Sequence, residues 1–243
     1  MPDRQARPRE VPVVRTDGFH LPVFRRRAAL YVDGFNLYHA ILDLDRNYLK
    51  WLDLRQLARV IAPPSQTVRK VVWVSALRPG GKAKMARYKA YADALKARGV
   101  TCLSGHFVVH ADGCNACGHM WTVSTEKQSD VNLALAVLDD AHENRFDVAY
   151  LMTTDGDHAA TARFLKERFP QKKLVLVAPP GRRQNRTLLQ WADAQVMLEF
   201  DHLARALLPA MINTPDGPVV RPSTYDPPEP PRAKGHLTVI SSV

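Results

Sequence analysis

Leu30-Tyr31-Val32-Asp33-Gly34-Phe35-Asn36 is the stretch on which the reading of this chain turns. The apolar run from Ala28 to Val32 is short and continuous, as expected of a strand buried on both faces, and it ends in a carboxylate, Asp33. Two further segments repeat that placement. Asp130 in Lys127-Gln128-Ser129-Asp130-Val131 opens a stretch of helical spacing, and Asp155 and Asp157 in Thr153-Thr154-Asp155-Gly156-Asp157 follow another apolar run.

Between these segments strand and helix patterns alternate. Val68–Ser75, Val100–Val109, Asp147–Met152 and Leu174–Ala178 read as strands. Lys82–Arg98 has helical spacing through Met85, Tyr88, Tyr91, Ala92 and Leu95, with Gly99 as its stop. Asp130–Glu143 is predicted as a helix with Ser129 as N-cap, and Asp157–Arg168 as a helix ending near Pro170. Leu188–Trp191 is helical in pattern, and Gln195–Leu198 reads as an edge strand. This order predicts an α/β fold with a mostly parallel sheet flanked by helices.

In such a sheet, carboxylates at the carboxyl ends of strands converge on one crevice. Crowded carboxylates repel unless a cation sits among them, and an all-oxygen donor set favours Mg²⁺ or Mn²⁺. Thr153 and Thr154 add hydroxyls, and Asn36 lies one turn beyond Asp33, where it can orient water or phosphate. Taken singly, each Asp reads equally as a helix cap or a loop former. Capping alone does not account for all four, because two of them lie outside the predicted helices.

Tyr31-Val32-Asp33-Gly34-Phe35-Asn36-Leu37-Tyr38, Glu126-Lys127-Gln128-Ser129-Asp130-Val131-Asn132-Leu133-Ala134 and Thr154-Asp155-Gly156-Asp157 together resemble the NYN domain family, in its LabA-like branch. The resemblance runs from about Ala28 to Glu199. It implies a PIN-like fold and a divalent-metal-dependent ribonuclease, with Asp33, Asp130, Asp155 and Asp157 as acidic metal ligands and Asn36 beside them. One departure stands out. The family often has Ser-Gly-Asp-Ser-Asp-Phe where this chain has Thr153-Thr154-Asp155-Gly156-Asp157-His158. His158 therefore replaces an aromatic residue, and reads either as a residue supporting the site or as a partly exposed helix position.

Cys114-Asn115-Ala116-Cys117-Gly118-His119 looks like half of a zinc site, a small cysteine knuckle inserted at about 110–120. Candidate partners are His106, His119, Cys102 and His110; Cys102, His106 and His110 share one face if the preceding strand runs unbroken. Free thiols and a redox dithiol are the alternatives; a strand expected over Trp121, Val123 and Thr125 argues against the dithiol.

Lys and Arg number 34 against 24 Asp and Glu, a net charge of +10. That balance points to a polyanionic partner, RNA first and DNA second, against the plain alternative of a solvated basic surface. The first 27 residues hold Arg4, Arg7, Arg9, Arg15 and Arg25-Arg26-Arg27 among four prolines, and read as a flexible basic arm. Residues 28–208 read as the folded domain, and the Pro-rich 209–243 as a disordered or extended tail. No apolar run approaches the ~20 residues that cross a bilayer, and no apolar leader core is seen, so the expectation is a cytoplasmic protein. Lys127, Arg182 and Arg183 are candidates to bind substrate phosphates, or else ordinary loop charges. Arg78-Pro79-Gly80-Gly81-Lys82-Ala83 mimics a phosphate loop, but Ala83 stands where a hydroxyl is needed.

The expectation is thus a metal-dependent ribonuclease. One rival is a non-catalytic RNA-binding or regulatory protein of the same fold, which would show no metal-dependent cleavage. The other is a phosphatase or nucleotide hydrolase, which would release inorganic phosphate from small substrates.

Overall fold

The computed structural model describes residues 25–229, and six strands at its centre decide where everything else can go. In chain order they are β1 (Arg26–Asp33), β2 (Gln66–Ser75), β3 (Thr101–Ser104), β6 (Val148–Met152), β7 (Lys173–Ala178) and β8 (Ala194–Met197); β4 (His106–Gly113) and β5 (Met120–Lys127) form a separate hairpin. The sheet order is β3-β2-β1-β6-β7-β8 and every neighbouring pair is parallel. The expected α/β class holds, and the predicted edge strand joins the sheet as β8.

Helices cover both faces because the central strands are apolar on both. Ala28, Leu30 and Val32 of β1 pack with α1 (Gly34–Asp43), α2 (Leu54–Ile61) and α3 (Lys82–Ala97), through Leu37, Ile41, Leu54, Leu57 and Leu95. Ala29 and Tyr31 face the other way, onto Leu133 and Val137 of α4 (Ser129–His142), Leu165 of α5 (Ala159–Arg168) and Leu188 of α6 (Arg186–Leu189). By the same alternation Asp33 falls on the α4 and α5 side.

Buried polar groups tie α4 to the sheet. Asp140 is 0% exposed, and its carboxylate accepts from Tyr31 Oη at 2.7 Å, Lys70 Nζ at 2.7 Å and Arg145 Nη1 at 2.9 Å. Burial, with Asp140 alongside, drives the Tyr31 hydroxyl pKa far upward, so it stays a donor.

Three expectations are corrected here. Val100–Val109 is not one strand: the chain leaves the sheet at Gly105, where a Cβ would come within 2.6 Å of both Lys127 O and Ser129 Oγ. Ser129 is not the cap of α4; Gln128, in left-handed conformation at φ 77°, holds that position, while Ser129 N donates to Glu126 Oε1 at 3.0 Å. Residues 209–229 also pack on the domain. They carry a short hairpin, β9 (Met211–Ile212) with β10 (Val219–Val220), and Trp51 clusters with Leu208 and Ile212 while donating Nε1–H to Pro209 O at 2.9 Å. Most of the expected basic arm and the end of the tail, residues 1–24 and 230–243, lie outside the described residues.

Candidate metal centre

In this strand order the chain reverses direction of growth between β1 and β6. The crevice beyond the carboxyl ends of those two strands is where open α/β sheets place ligands. Asp33 ends β1, and Thr153-Thr154-Asp155 follows β6 directly.

Asp33 serves as N-cap of α1, its Oδ1 accepting from Asn36 N at 3.0 Å. Its Oδ2 accepts from Thr153 Oγ1 at 3.1 Å, so both oxygens are oriented from two elements. The helix can begin this close to β2 only because residue 34 lacks a side chain: a Cβ there would sit 2.6 Å from Trp73 Nε1 and 2.6 Å from Val74 O. Burial raises the Asp33 carboxyl above its ordinary range and the nearby Asp130 charge adds to this, against hydrogen bonds from Asn36 and Thr153.

Asp130 reaches the crevice from the first turn of α4, with half of its side chain (52%) exposed. His158 meets it from the turn that opens α5. The imidazole is buried, at 2% exposure, and its Nε2 lies 3.5 Å from Asp130 Oδ1 without a properly aligned hydrogen-bond partner. The proximity of His158 lowers the Asp130 carboxyl pKa. Ligand atoms of Asp33, Asp130 and His158 all lie within 4.8 Å of one another, a spacing at which one cation can be shared. The expectation of a partly exposed His158 is therefore corrected. The available signal was a titratable residue in a position where the resembled family keeps a bulky apolar one.

Asp155 and Asp157 are not members of that group. Asp155 Oδ1 accepts from Asp157 N at 3.0 Å and Asp155 N donates to Thr153 Oγ1 at 3.1 Å, which shapes the turn carrying His158. Asp157 is exposed at the rim. Asn36 Oδ1 accepts from Thr154 Oγ1 at 3.1 Å, so Asn36 ties the start of α1 to the loop after β6.

Among the basic candidates, Lys127 is exposed at the base of the hairpin and Arg183 on the loop after β7. Arg182 is ion-paired with Asp43 at the far end of α1. The zinc set is corrected at His106. His106 pairs across the hairpin with Lys127, whereas Gly113, next to Cys114, pairs with Met120. Seven strand residues separate the two, about 24 Å at the usual rise, so His106 and Cys114 cannot share an ion. His106 Nδ1 instead meets Gln128 Oε1 at 3.2 Å, Cys102 belongs to β3 of the main sheet, and His119 stacks on Trp121. Cys114 sulfur is hydrogen-bonded by the backbone N–H groups of Cys117 and Ala116, which lowers its thiol pKa. Among the described residues no group of three closely spaced possible ligands includes a cysteine.

The family model of the NYN domain matches residues 27–198. A crystal structure of a protein of unknown function from Vibrio parahaemolyticus RIMD 2210633 is similar in fold, with TM-score 0.53 and 20% sequence identity over 76% of this chain and 98% of that chain. None of the curated proteins matches this chain. Among the described residues no helix is long and apolar enough to cross a membrane.

Proposed function

Because the chain belongs to the NYN domain family, a family of metal-dependent nucleases, we propose that it is a divalent-metal-dependent ribonuclease acting at the crevice between β1 and β6. The observation that carries this reading is the convergence of Asp33, Asp130 and the buried His158, whose ligand atoms all lie within 4.8 Å of one another. Two carboxylates brought this close repel one another, and a bound cation would remove that repulsion. The residues present fit such an ion: Asp33 and Asp130 supply hard oxygens, and His158 supplies one nitrogen. Imidazole is a poor ligand for Mg²⁺ and a common one for transition metals, so this donor set favours Mn²⁺ over Mg²⁺.

A divalent ion here would supply water activation and charge stabilisation at the scissile phosphate. The chain's own groups do the rest. Asn36 N–H and Thr153 Oγ1–H hold Asp33 in a fixed orientation, and Gln128, Glu126 and Ser129 fix the start of α4 and with it Asp130. Asp155 braces the turn that presents His158, and Asp157, exposed at the rim, would meet a second cation arriving with the substrate. Lys127 and Arg183 are assigned to flanking phosphates; Arg182, already neutralised by Asp43, is assigned to holding the loop after β7 against α1. RNA is the substrate proposed, with DNA as the comparison.

The test is cleavage of labelled RNA and DNA panels by protein stripped with EDTA and then supplied with Mn²⁺ or Mg²⁺. Shortened RNA with Mn²⁺, less with Mg²⁺ and none in EDTA is the expected result. Release of inorganic phosphate from small phosphomonoesters, with oligonucleotides left intact, would replace this reading with the phosphatase one.

A further inference from the structure

Beside the metal centre, on the opposite face of α1's first turn, lies a cavity of about 340 Å³ that the proposed chemistry does not use. That size is in the range of small-molecule sites. Gly34 and Phe35 form one wall, so the cavity begins one residue from Asp33, and Ser75 and Ala76 at the end of β2 place it on the same sheet edge. Its interior is aromatic. Trp73 lies 5.6 Å, centroid to centroid, from both Tyr88 and Tyr91. Tyr38 and Tyr225 also line the cavity.

The charged lining is of one sign. Lys50, Arg78, Lys84 and Arg87 line the cavity and no carboxylate does. Among the described residues none of these four has a carboxylate within ion-pair distance; Lys50 Nζ donates to Asn47 Oδ1 at 2.8 Å and sits 5.0 Å from the Tyr38 ring centroid. Burial and the neighbouring Arg87 both depress the Lys50 ammonium pKa, outweighing the opposing charge of Asp45. Flat aromatic walls and unpaired cations together match a ligand with a π-face and a phosphate.

We propose that this cavity binds a nucleotide, its base against the aromatic walls and its phosphate against Arg78, Lys84 and Arg87. Tyr225 closes one side from the turn Ser223–Tyr225, beyond residues 27–198, so the C-terminal segment completes the pocket. A strand-borne nucleotide held there would set which phosphate reaches Asp33; that form rests on the nuclease reading, whereas nucleotide binding itself does not.

The experiment is calorimetric binding in EDTA, where cleavage is off. The probes are inorganic phosphate, the four ribonucleoside monophosphates and a six-nucleotide RNA; the proteins are wild type, Arg87→Gln, Tyr225→Ala and Asp33→Asn. At least one monophosphate should bind roughly tenfold more tightly than inorganic phosphate, the worth of one stacked base. Arg87→Gln and Tyr225→Ala, checked for unchanged melting, should each lose most of that gain, while Asp33→Asn keeps it. Tighter binding of the hexamer than of any monophosphate assigns the pocket to the strand; equal binding assigns it to a free nucleotide. No preference for monophosphates over inorganic phosphate, or full binding by both pocket variants, overturns the proposal. Failure of Asp33→Asn to affect cleavage would overturn the nuclease reading and leave this result standing.

Discussion

Replacing His158 by Phe should move stability in opposite directions with and without metal. In the metal-free protein the wild-type ring buries Nε2 with no aligned partner, at 2% residue exposure. Removing that nitrogen recovers part of a penalty of about 1–3 kcal/mol. The slightly larger Phe ring gives some of it back in packing strain, and Asp130 loses the neighbour that lowers its pKa, leaving a gain of at most about 1 kcal/mol. For a domain of this size, ~1 kcal/mol corresponds to roughly 2–4 °C in Tm. With metal the sign reverses, because the substitution deletes one of three ligands. A tenfold loss in affinity removes about 1.4 kcal/mol of the stabilisation that saturating Mn²⁺ provides. Scanning calorimetry on EDTA-stripped protein, with and without millimolar Mn²⁺, reads both effects. His158→Gln serves as the polar control and should lose the metal increment without the metal-free gain. An Mn²⁺-induced rise in Tm equal in wild type and His158→Phe would refute the assignment of His158 as a ligand.

Other substitutions probe the scaffold that holds the site. Asp140→Ala should destabilise by about 1–3 kcal/mol in chemical denaturation: Lys70 and Arg145 are part-exposed and can regain water, but the buried Tyr31 hydroxyl is left without its acceptor. Gly34→Ala should cost about 1–3 kcal/mol or more and lower metal affinity, since the new Cβ meets the fixed backbone oxygen of Val74 at 2.6 Å; unchanged melting would show that α1 can shift away freely. Asp193 resists its own burial through hydrogen bonds from Lys166 Nζ, Leu174 N and Lys173 Nζ, which hold its carboxyl at about 2 against an ordinary 3.8. A depressed carboxyl stabilises above the unfolded-state pKa and loses that contribution as pH falls from about 4 through about 2, an amount that solvent screening around this exposed group holds to roughly 1 kcal/mol or less. Asp193→Asn should remove that stretch of the stability–pH curve, and a superimposable curve would show that the bonds contribute nothing.

The parts of the fold legible in the sequence are those governed by local pattern. Five-residue apolar runs such as Ala28–Val32 and Val148–Met152 announce strands covered on both faces, and Gly99, at φ 75°, ends α3 as its position predicts. Asp33 was visible as a carboxylate at a strand end. Helices α1 and α2 are not among the elements expected above, although Asp53 caps α2 with side-chain bonds to Arg55 N and Gln56 N, an ordinary N-cap signal. What the sequence hides is set by contacts distant along the chain. The break at Gly105 exists because the start of α4 crowds that point, and nothing in Val100–Val109 encodes it. The burial of His158 depends on α4 lying over β1 and β2, which no spacing around residue 158 reveals. The cysteine turn shows the converse: its local geometry is as expected, but the partners needed to complete a zinc site depended on a strand that bends away.

The central claim is that carboxylates at the β1–β6 crevice hold a cation that cuts RNA. Its most direct measurement is cleavage of 5′-labelled single-stranded RNA by wild type and Asp33→Asn, purified side by side and assayed in Mn²⁺ and in EDTA. Asn keeps the oxygen that accepts from Asn36 N and removes the charge, so the fold is retained while the cation is lost. Wild type should shorten RNA only with Mn²⁺, and Asp33→Asn should be slower by roughly a hundredfold or more, because several kcal/mol of charge stabilisation leave with the ion. Equal cleavage by the two proteins, or intact RNA with wild type under every divalent ion tried, would contradict it.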